Sequence, residues 1–488
     1  MYSDTQITKQ IKELVAKVSG TEKGSVWRQA SDFFIEYSKK QEQLDSFNER
    51  ISELESKLAQ DSNEKNCIQY RKDLAEVKKD LASFTDPDGE FRLIRHDTIV
   101  PIAREILALA ESFDFEDTIR KSSRFLGTLQ LINPTEGKRV AEQNERTKPI
   151  YKAILCLRLF DQLYIDGLIT ESYVIESLGD ITPEKYQSFI NDENEDYQKF
   201  TEKVKIPLII MSLIQDIGNL HPDAKLILFG EKSTLNPFRT LEQKERKTLL
   251  QINYRQTMQY ITLGIGEGKY YGNFKAERDE FNEREIGKVA FMQGLLKRWV
   301  NPKSVLGNLI KVPQIYTSIV LSTKDNYDYR TLPKVFQILK LNVERKHCHA
   351  KIVECLYRIT GMFPMGYGIT YLPLDSSGNS LDRYEYAIVT RLYPQKLQQP
   401  ECRVATRSLS FISRGQDLQI ERSCNLYFPE TAKKLSTMSK ERLSEILELL
   451  ASNYKERQHL DVIPRCWHSK EFFSIGKHQN LWNKVSDT

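Results

Sequence analysis

The sequence predicts a mostly α protein, with an N-terminal coiled-coil helical hairpin, a helical middle and a small C-terminal β extension closed by a terminal helix. Three observations carry that expectation. Apolar residues recur at steps of three and four from Trp27 to Leu58, with polar Gln41 in one slot, and again in a new phase from Cys67 to Phe84, the seam pattern of paired helices. Helical periodicity punctuated by Gly and Pro then continues to about residue 360. From Tyr367 the pattern turns to short alternating stretches separated by Ser, Gly and Asn turns, which read as strands. These shifts divide the chain into 1–88, a helical arm; 89–200, a helical domain packing on the core; 201–366, a second helical domain; and 367–488, the β extension with its helix and tail.

Composition narrows the function classes. Of 488 residues, 40% are apolar and 28% charged, enough to bury a core and not the balance of a disordered chain. With 71 basic against 67 acidic residues the net charge is +4, so no nucleic-acid footprint is evident over the whole chain. No apolar run approaches the roughly 18 residues of a membrane helix, and MYSDTQITKQ lacks the apolar core of a secretory leader. Seven cysteines without paired short spacings fit reduced thiols, and the expected location is cytoplasmic.

The arm comes first. Its seam runs Trp27, Ala30, Phe34, Tyr37, Leu44, Phe47, Ile51, Leu54, Leu58, and resumes in a new phase at Cys67, Tyr70, Leu74, Val77, Leu81, Phe84. The polar AQDSNEKN between them is a turn, so the two seams are expected to pair as an antiparallel hairpin. Pairing in trans with a second copy is the alternative, and either way the arm is the expected contact for a protein partner or for self-association. Thr85-Asp86-Pro87-Asp88-Gly89 marks a boundary. Helices are expected next at 102–113, 117–131 and 151–164, with GKRVAEQNERTK as a charged loop. Nothing between 91 and 200 reads as chemistry, and His96-Asp97 reads as surface polar sequence.

The stretch 207–224, PLIIMSLIQDIGNLHPDA, is different. An apolar helix breaks at Gln215-Asp216-Ile217-Gly218-Asn219, and an acidic residue there with glycine two places on is how a helix hands a metal ligand to a cleft. The other reading is a buried helix with a glycine stop. Beyond it, 220–238 reads as loop and 239–263 as helix. GIGEGKYYGN at 264–273 reads as a turn, because no apolar strand precedes its glycines as a phosphate loop requires. Helices are expected at 283–300, 306–321, 332–341 and 348–359.

Three of these segments resemble one family. IIMSLIQDIGNLHPDA is similar to the motif of HD-domain phosphohydrolases, in which a helix ends in His-Asp-Ile-Gly-Lys and Pro-Asp comes after it. IVLSTKDNYDYRTLPKVFQIL resembles that family's late segment with its Tyr-Arg turn, and CLYRITGMFPMGYGITYLP the end of the HD-GYP subfamily's domain. The resemblance covers about 200–373. It implies a bacterial signalling protein whose helical domain holds two or three metals, iron or manganese, that activate water to cleave cyclic di-GMP. Residue by residue the implied ligands are missing. Gln215 stands where the histidine should and Asn219 where the lysine should, while Asn253-Tyr254-Arg255 replaces a His-Pro. The late aspartate would fall near Tyr316 or Thr317. Asp216 alone remains, as a vestigial metal position. With its ligands lost, the resemblance implies a degenerate HD-GYP protein without catalytic residues or metal cofactor: a regulatory or scaffolding component, or a receptor that binds cyclic di-GMP without hydrolysis. The alternative is a metal-dependent cyclic di-GMP phosphodiesterase with non-standard ligands.

Two other groups complete the candidates. His347-Cys348-His349 with Cys355 is the densest set of soft ligands, read against a basic surface helix start. In the β extension, with strands expected at 368–372, 384–391, 402–407 and 417–422, Arg403 and Arg407 form an Arg-x-x-x-Arg pair. That pair resembles the cyclic di-GMP clamp of PilZ domains, since guanidiniums bind phosphate and stack on guanine. The alternative is two arginines on the wet face of a strand.

Overall fold

A computed structural model describes residues 3–61, 63–85, 89–435, 438–450 and 463–483. The fold is mostly α, with a small antiparallel sheet near the C-terminus. The chain forms two compact units that alternate along the sequence, one of Met1–Val15, Arg104–Ser212 and Lys297–Thr488, the other of Ala16–Ala103 and Leu213–Leu296. The expected boundary at Asp86-Pro87-Asp88 lies outside the described residues. Among the described residues no helix is long and apolar enough to cross a membrane.

In the Ala16–Ala103 and Leu213–Leu296 unit, the seam read from Trp27 to Leu58 is cut at Lys40 into helices Val26–Lys39 and Gln41–Gln60. Ser25 starts the first by accepting from the Arg28 backbone N–H at 3.2 Å, the usual N-cap service. Its buried face does not continue the coiled coil. Phe33 and Phe34 pack on Tyr260 at ring separations of 5.4 and 5.6 Å. Only beyond Lys40 does the seam pair with Glu64–Thr85, antiparallel and within the same chain. Phe47 meets Phe84 at 5.7 Å, and Lys78 reaches Glu55 at 2.9 Å. Leu44, Leu54, Val77 and Leu81 are the buried residues of this hairpin.

The other unit is held around helix Val140–Ile165. Its start runs through the stretch expected as a charged loop, because polar side chains there are buried and satisfied. Asn144 accepts from Asn133 Nδ2 at 3.1 Å and donates to the Ser322 carbonyl at 2.8 Å, while the Thr147 hydroxyl donates to Asn133 Oδ1 at 3.0 Å. Deeper in, Glu111, Arg158, Asp161 and Lys205 are all essentially inaccessible to solvent. Glu111 accepts from Arg158, from Tyr197 and, at 2.7 Å, from Lys205; Lys205 also lies 3.0 Å from Asp161, which accepts from the Tyr186 hydroxyl at 2.8 Å. Burial opposes the Glu111 charge, but Lys205 and then Arg158 outweigh it and hold its pKa below the ordinary value. Two carboxylates balance two cations, the condition under which charges can stay ionised in a core.

The sheet runs β1 (Gly368–Tyr371), β2 (Glu385–Val389), β3 (Glu401–Val404), β6 (Asp417–Gln419), all neighbours antiparallel. The strand expected over 402–407 divides at Ala405. Its second half, β4 (Thr406–Arg407), leaves the main sheet and turns through Ser408 and Leu409, both at positive φ, into β5 (Ser410–Phe411). Positive φ at both centres is what a two-residue hairpin needs. Trp467 and Trp482 pack on the sheet, their indole N–H groups donating at 2.9 Å to the Ala387 and Thr390 carbonyls. Gly127 allows this approach, because a Cβ there would press into the Trp482 ring.

Candidate functional site

The Asp216 turn is built by packing. After helix Ile206–Ile214, residues Ile217–Leu220 form one 3₁₀ turn, and His221 and Pro222 start a further helix, Pro222–Phe229, where a loop was expected. Proline suits the first helical position, where no backbone donor is needed. His221 Nδ1 accepts from the Asp223 N–H at 3.2 Å, so this ring is neutral; burial lowers its pKa, against Asp223 and with Arg255. The turn presses on helix Gln243–Gln259. Gly218 N–H donates to the Thr257 hydroxyl at 3.1 Å, and Asn253 Nδ2 donates to the Gln215 carbonyl at 3.3 Å. A Cβ on Gly218 would collide with the Asn253 carbonyl and come within 2.8 Å of its Cα. Gly218 is therefore required by a helix contact.

The donors around half-buried Asp216 do not fit the metals that the resemblance implies. In sequence Asp216 lies between the amides Gln215 and Asn219, and Asn253 bonds the Gln215 carbonyl at 3.3 Å, whereas a divalent metal pair draws its affinity from several N and O ligands held together. Among the described residues no three His, Cys, Asp or Glu side chains are grouped to hold a metal ion. Tyr316, near the implied late aspartate, is buried against Phe336 at 5.7 Å. Within the soft-ligand set, Cys348 and Cys355 are buried thiols. Cys355 donates to Asp166 Oδ2 at 3.2 Å, and burial pushes its pKa up to about 11, so its thiol stays protonated at neutral pH.

Arg403 and Arg407 are not brought together. Arg403 stands directly opposite Asp417 across β3 and β6 and is buried. Its Nε donates to Asp417 Oδ1 at 2.6 Å, and its Nη2 donates to Asp417 Oδ2 at 3.2 Å and to the Asn483 carbonyl at 2.7 Å. Arg407 is exposed on β4 and is not among the residues lining the cleft of about 360 Å³ that Arg403 borders. Two more arginines line that cleft, Arg120 and Arg391. Each is matched: Arg120 donates to Asp117 at 2.8 Å, and Arg391 donates to Glu116 at 2.6 Å and lies 3.3 Å from Glu401. With Asp114 and Asp417 the carboxylates outnumber the guanidiniums five to three, which disfavours a phosphate.

A second cleft in the same unit has the opposite balance. It encloses about 570 Å³ and is lined by Arg330, Lys334 and Arg465, with Tyr427 and one carboxylate, Asp328. The 3₁₀ turn Tyr329–Lys334 carries the first two cations. Tyr329 anchors the turn: its buried hydroxyl accepts from the Gly368 N–H at 2.8 Å and its ring stacks on Tyr367 at 4.8 Å. Asp328 caps the turn, accepting from the Arg330 N–H at 2.9 Å, and pairs with the Arg330 guanidinium at 3.0 Å. Arg330 first, and against burial, holds the Asp328 pKa below its ordinary value. Among the described residues no carboxylate pairs with Lys334 or Arg465. Arg465 adjoins Tyr427, whose pKa burial raises while Arg465 acts the other way. Phosphate is the natural ligand for such a set, since guanidinium and ammonium both donate to its oxygens. Among the described lining residues there is no histidine or cysteine.

Sequence reading named Tyr329-Arg330 only as a family marker and did not single out Lys334 or Arg465. Arg465 is separated from Arg330 by more than a hundred residues, and only the packing of the C-terminal segment joins them. No protein-family model, curated protein or solved structure matches the chain.

Proposed function

We propose that this chain is a non-catalytic regulatory or scaffolding protein of degenerate HD-GYP type, which binds a phosphate-bearing small molecule such as cyclic di-GMP without hydrolysing it. The observation that carries the reading is the Arg330–Lys334–Arg465 cleft, where three cations from two distant stretches face one carboxylate. Its volume lies in the range of roughly 300–1,000 Å³ typical of small-ligand pockets. The amide-rich, closed turn at Asp216 supports binding without metal-assisted cleavage. The hairpin of helices Gln41–Gln60 and Glu64–Thr85 is the proposed partner contact, because most of its length beyond the seam is exposed.

Calorimetry with cyclic di-GMP, followed by chromatography of the recovered nucleotide, tests this. The expected result is saturable heat and intact dinucleotide, with Lys334→Ala or Arg465→Ala weakening binding roughly tenfold. No heat at high micromolar concentration removes the receptor reading. Turnover, with stoichiometric iron or manganese in the purified protein, establishes the phosphodiesterase instead.

A further inference from the structure

We propose that the outer face of helix Val335–Glu344 is a docking surface for an anionic lipid bilayer, touched at its surface and not crossed. The helix belongs to the sheet-bearing unit. Its inward face is Val335, Phe336 and Leu339, all buried, with Phe336 packed on Tyr357 at 4.2 Å and on Tyr316 at 5.7 Å. The opposite face is where a solvated helix carries polar residues. Here Lys334, Ile338, Leu341 and Arg345 follow one another at steps of four, three and four, so they lie in one stripe along the helix and its two caps. Gln337, Lys340 and Glu344 flank it on one side and Asn342 on the other. Ile338 is 41% and Leu341 47% exposed. The stripe therefore reads cation, two aliphatic side chains, cation.

Charge selects the partner. From Lys334 to Lys351 the sequence holds four lysines and one arginine against a single carboxylate, Glu344, although the whole chain is close to balance. All five cations are exposed, and among the described residues none of them has an acidic partner. The helix closes through Lys346, whose N–H donates to the Val343 carbonyl at 2.9 Å while the His347 N–H donates to the Asn342 carbonyl at 2.8 Å. Lys346 does this at a φ of 58°, the left-handed position that glycine takes in such a stop. Lysine there costs backbone strain, and what it adds over glycine is an exposed charge beside Arg345. An anionic bilayer matches the whole face: lysine and arginine meet the lipid head groups while Ile338 and Leu341 enter the boundary of the acyl chains. A nucleic acid would satisfy the cations but leave the two aliphatic side chains in water, and the stripe has no aromatic ring for its bases. Docking of this kind requires no helix long enough to span the bilayer.

Co-sedimentation of the full chain with vesicles of phosphatidylcholine alone, and of phosphatidylcholine mixed with phosphatidylserine, tests the face. The expected result is saturable binding to the mixed vesicles that weakens with added salt, and binding at least about tenfold weaker to the neutral ones. The double variant Ile338→Ser/Leu341→Ser should lower binding about tenfold. Lys346→Gly should lower it about fivefold with thermal unfolding unchanged or raised, since glycine relieves the backbone, so binding lost there is not folding lost. Equal binding to the two vesicle types, no binding to the mixed ones, or undiminished binding by the serine variant overturns the proposal. Equally tight capture by an oligonucleotide or by polyglutamate, insensitive to the serine variant, makes the face a plain polyanion surface and overturns the lipid assignment. Lys334, which also lines the phosphate cleft, stays unchanged in every variant, so the fate of the cyclic di-GMP reading does not decide the outcome.

Discussion

The two charged clefts of the sheet-bearing unit each carry three cationic side chains, and what differs is the company they keep. Around Arg403 every guanidinium meets a carboxylate within 3.3 Å. Around Arg330 one carboxylate, Asp328, serves the nearest arginine, while Lys334 and Arg465 have no acidic partner among the described residues. An arginine already bonded bidentately to a carboxylate offers little to a phosphate, since a ligand must first displace a partner of the same charge. The Arg-x-x-x-Arg spacing at 403 and 407 therefore marks a cross-strand ion pair and an exposed neighbour, and the turn at Tyr329–Lys334 is the proposed anion site.

The contrast is sharpest where pairing is complete and water is excluded. Arg158, fully buried with Glu111 and Asp161, extends the comparison to its limit. Glu111→Gln should destabilise by about 3–5 kcal/mol, because it leaves buried cations short of a partner; chemical denaturation measures it. The Glu111 pKa is depressed, so its contribution is complete above its ordinary value of 4.5 and is lost as the pH falls below that. The gap between wild type and Glu111→Gln should therefore narrow on acidification. A gap that is constant down to about pH 3 contradicts the assignment.

Arg403→Ala comes next. It removes two bonds to Asp417 and one to the Asn483 carbonyl, and should cost about 2–3 kcal/mol of stability while leaving phosphate-ligand affinity unchanged. Lys334→Ala and Arg465→Ala should do the reverse, with stability within about 0.5 kcal/mol of wild type and ligand affinity lowered. If Arg403→Ala abolished binding in a folded protein, the two clefts would have to exchange roles. The smallest effect concerns Glu401. Burial first, with Glu116 and Asp417, raises its pKa against the pull of Arg391, so its charged form is the disfavoured one. Glu401→Gln should thus be neutral or stabilising by less than about 0.5 kcal/mol at pH 7, and the gain should fade as the pH drops and Glu401 protonates in the wild type. Thermal melts at two pH values read it.

Much of the helical architecture was legible wherever apolar spacing and caps agree. Helix Val305–Val320, capped by the Ser304 hydroxyl on the Gly307 N–H at 3.1 Å, falls within a residue of its expected span. The reading failed where polar side chains are buried and where a seam changes partners. Asn144 and Thr147 sit inside the Val140–Ile165 helix with their hydrogen bonds satisfied, so a core-facing turn looks like a charged loop. Trp27 to Tyr37 and Leu44 to Leu58 share a heptad phase, yet the first set packs on Tyr260 and the second on the returning helix. Periodicity reports that a face is apolar and is silent about what covers it. The cationic cleft was hidden for a different reason. Whether an arginine is already paired is a tertiary fact, and Asp417 opposite Arg403 could not be read before the register of β3 and β6 was known.

The central claim is most directly tested by titrating cyclic di-GMP into wild type, Arg403→Ala and the double variant Lys334→Ala/Arg465→Ala under identical salt, by calorimetry. Binding by wild type and Arg403→Ala that is lost in the double variant, with the dinucleotide recovered intact, is the expected result. Binding that survives the double variant, or dinucleotide that is recovered cleaved, contradicts it.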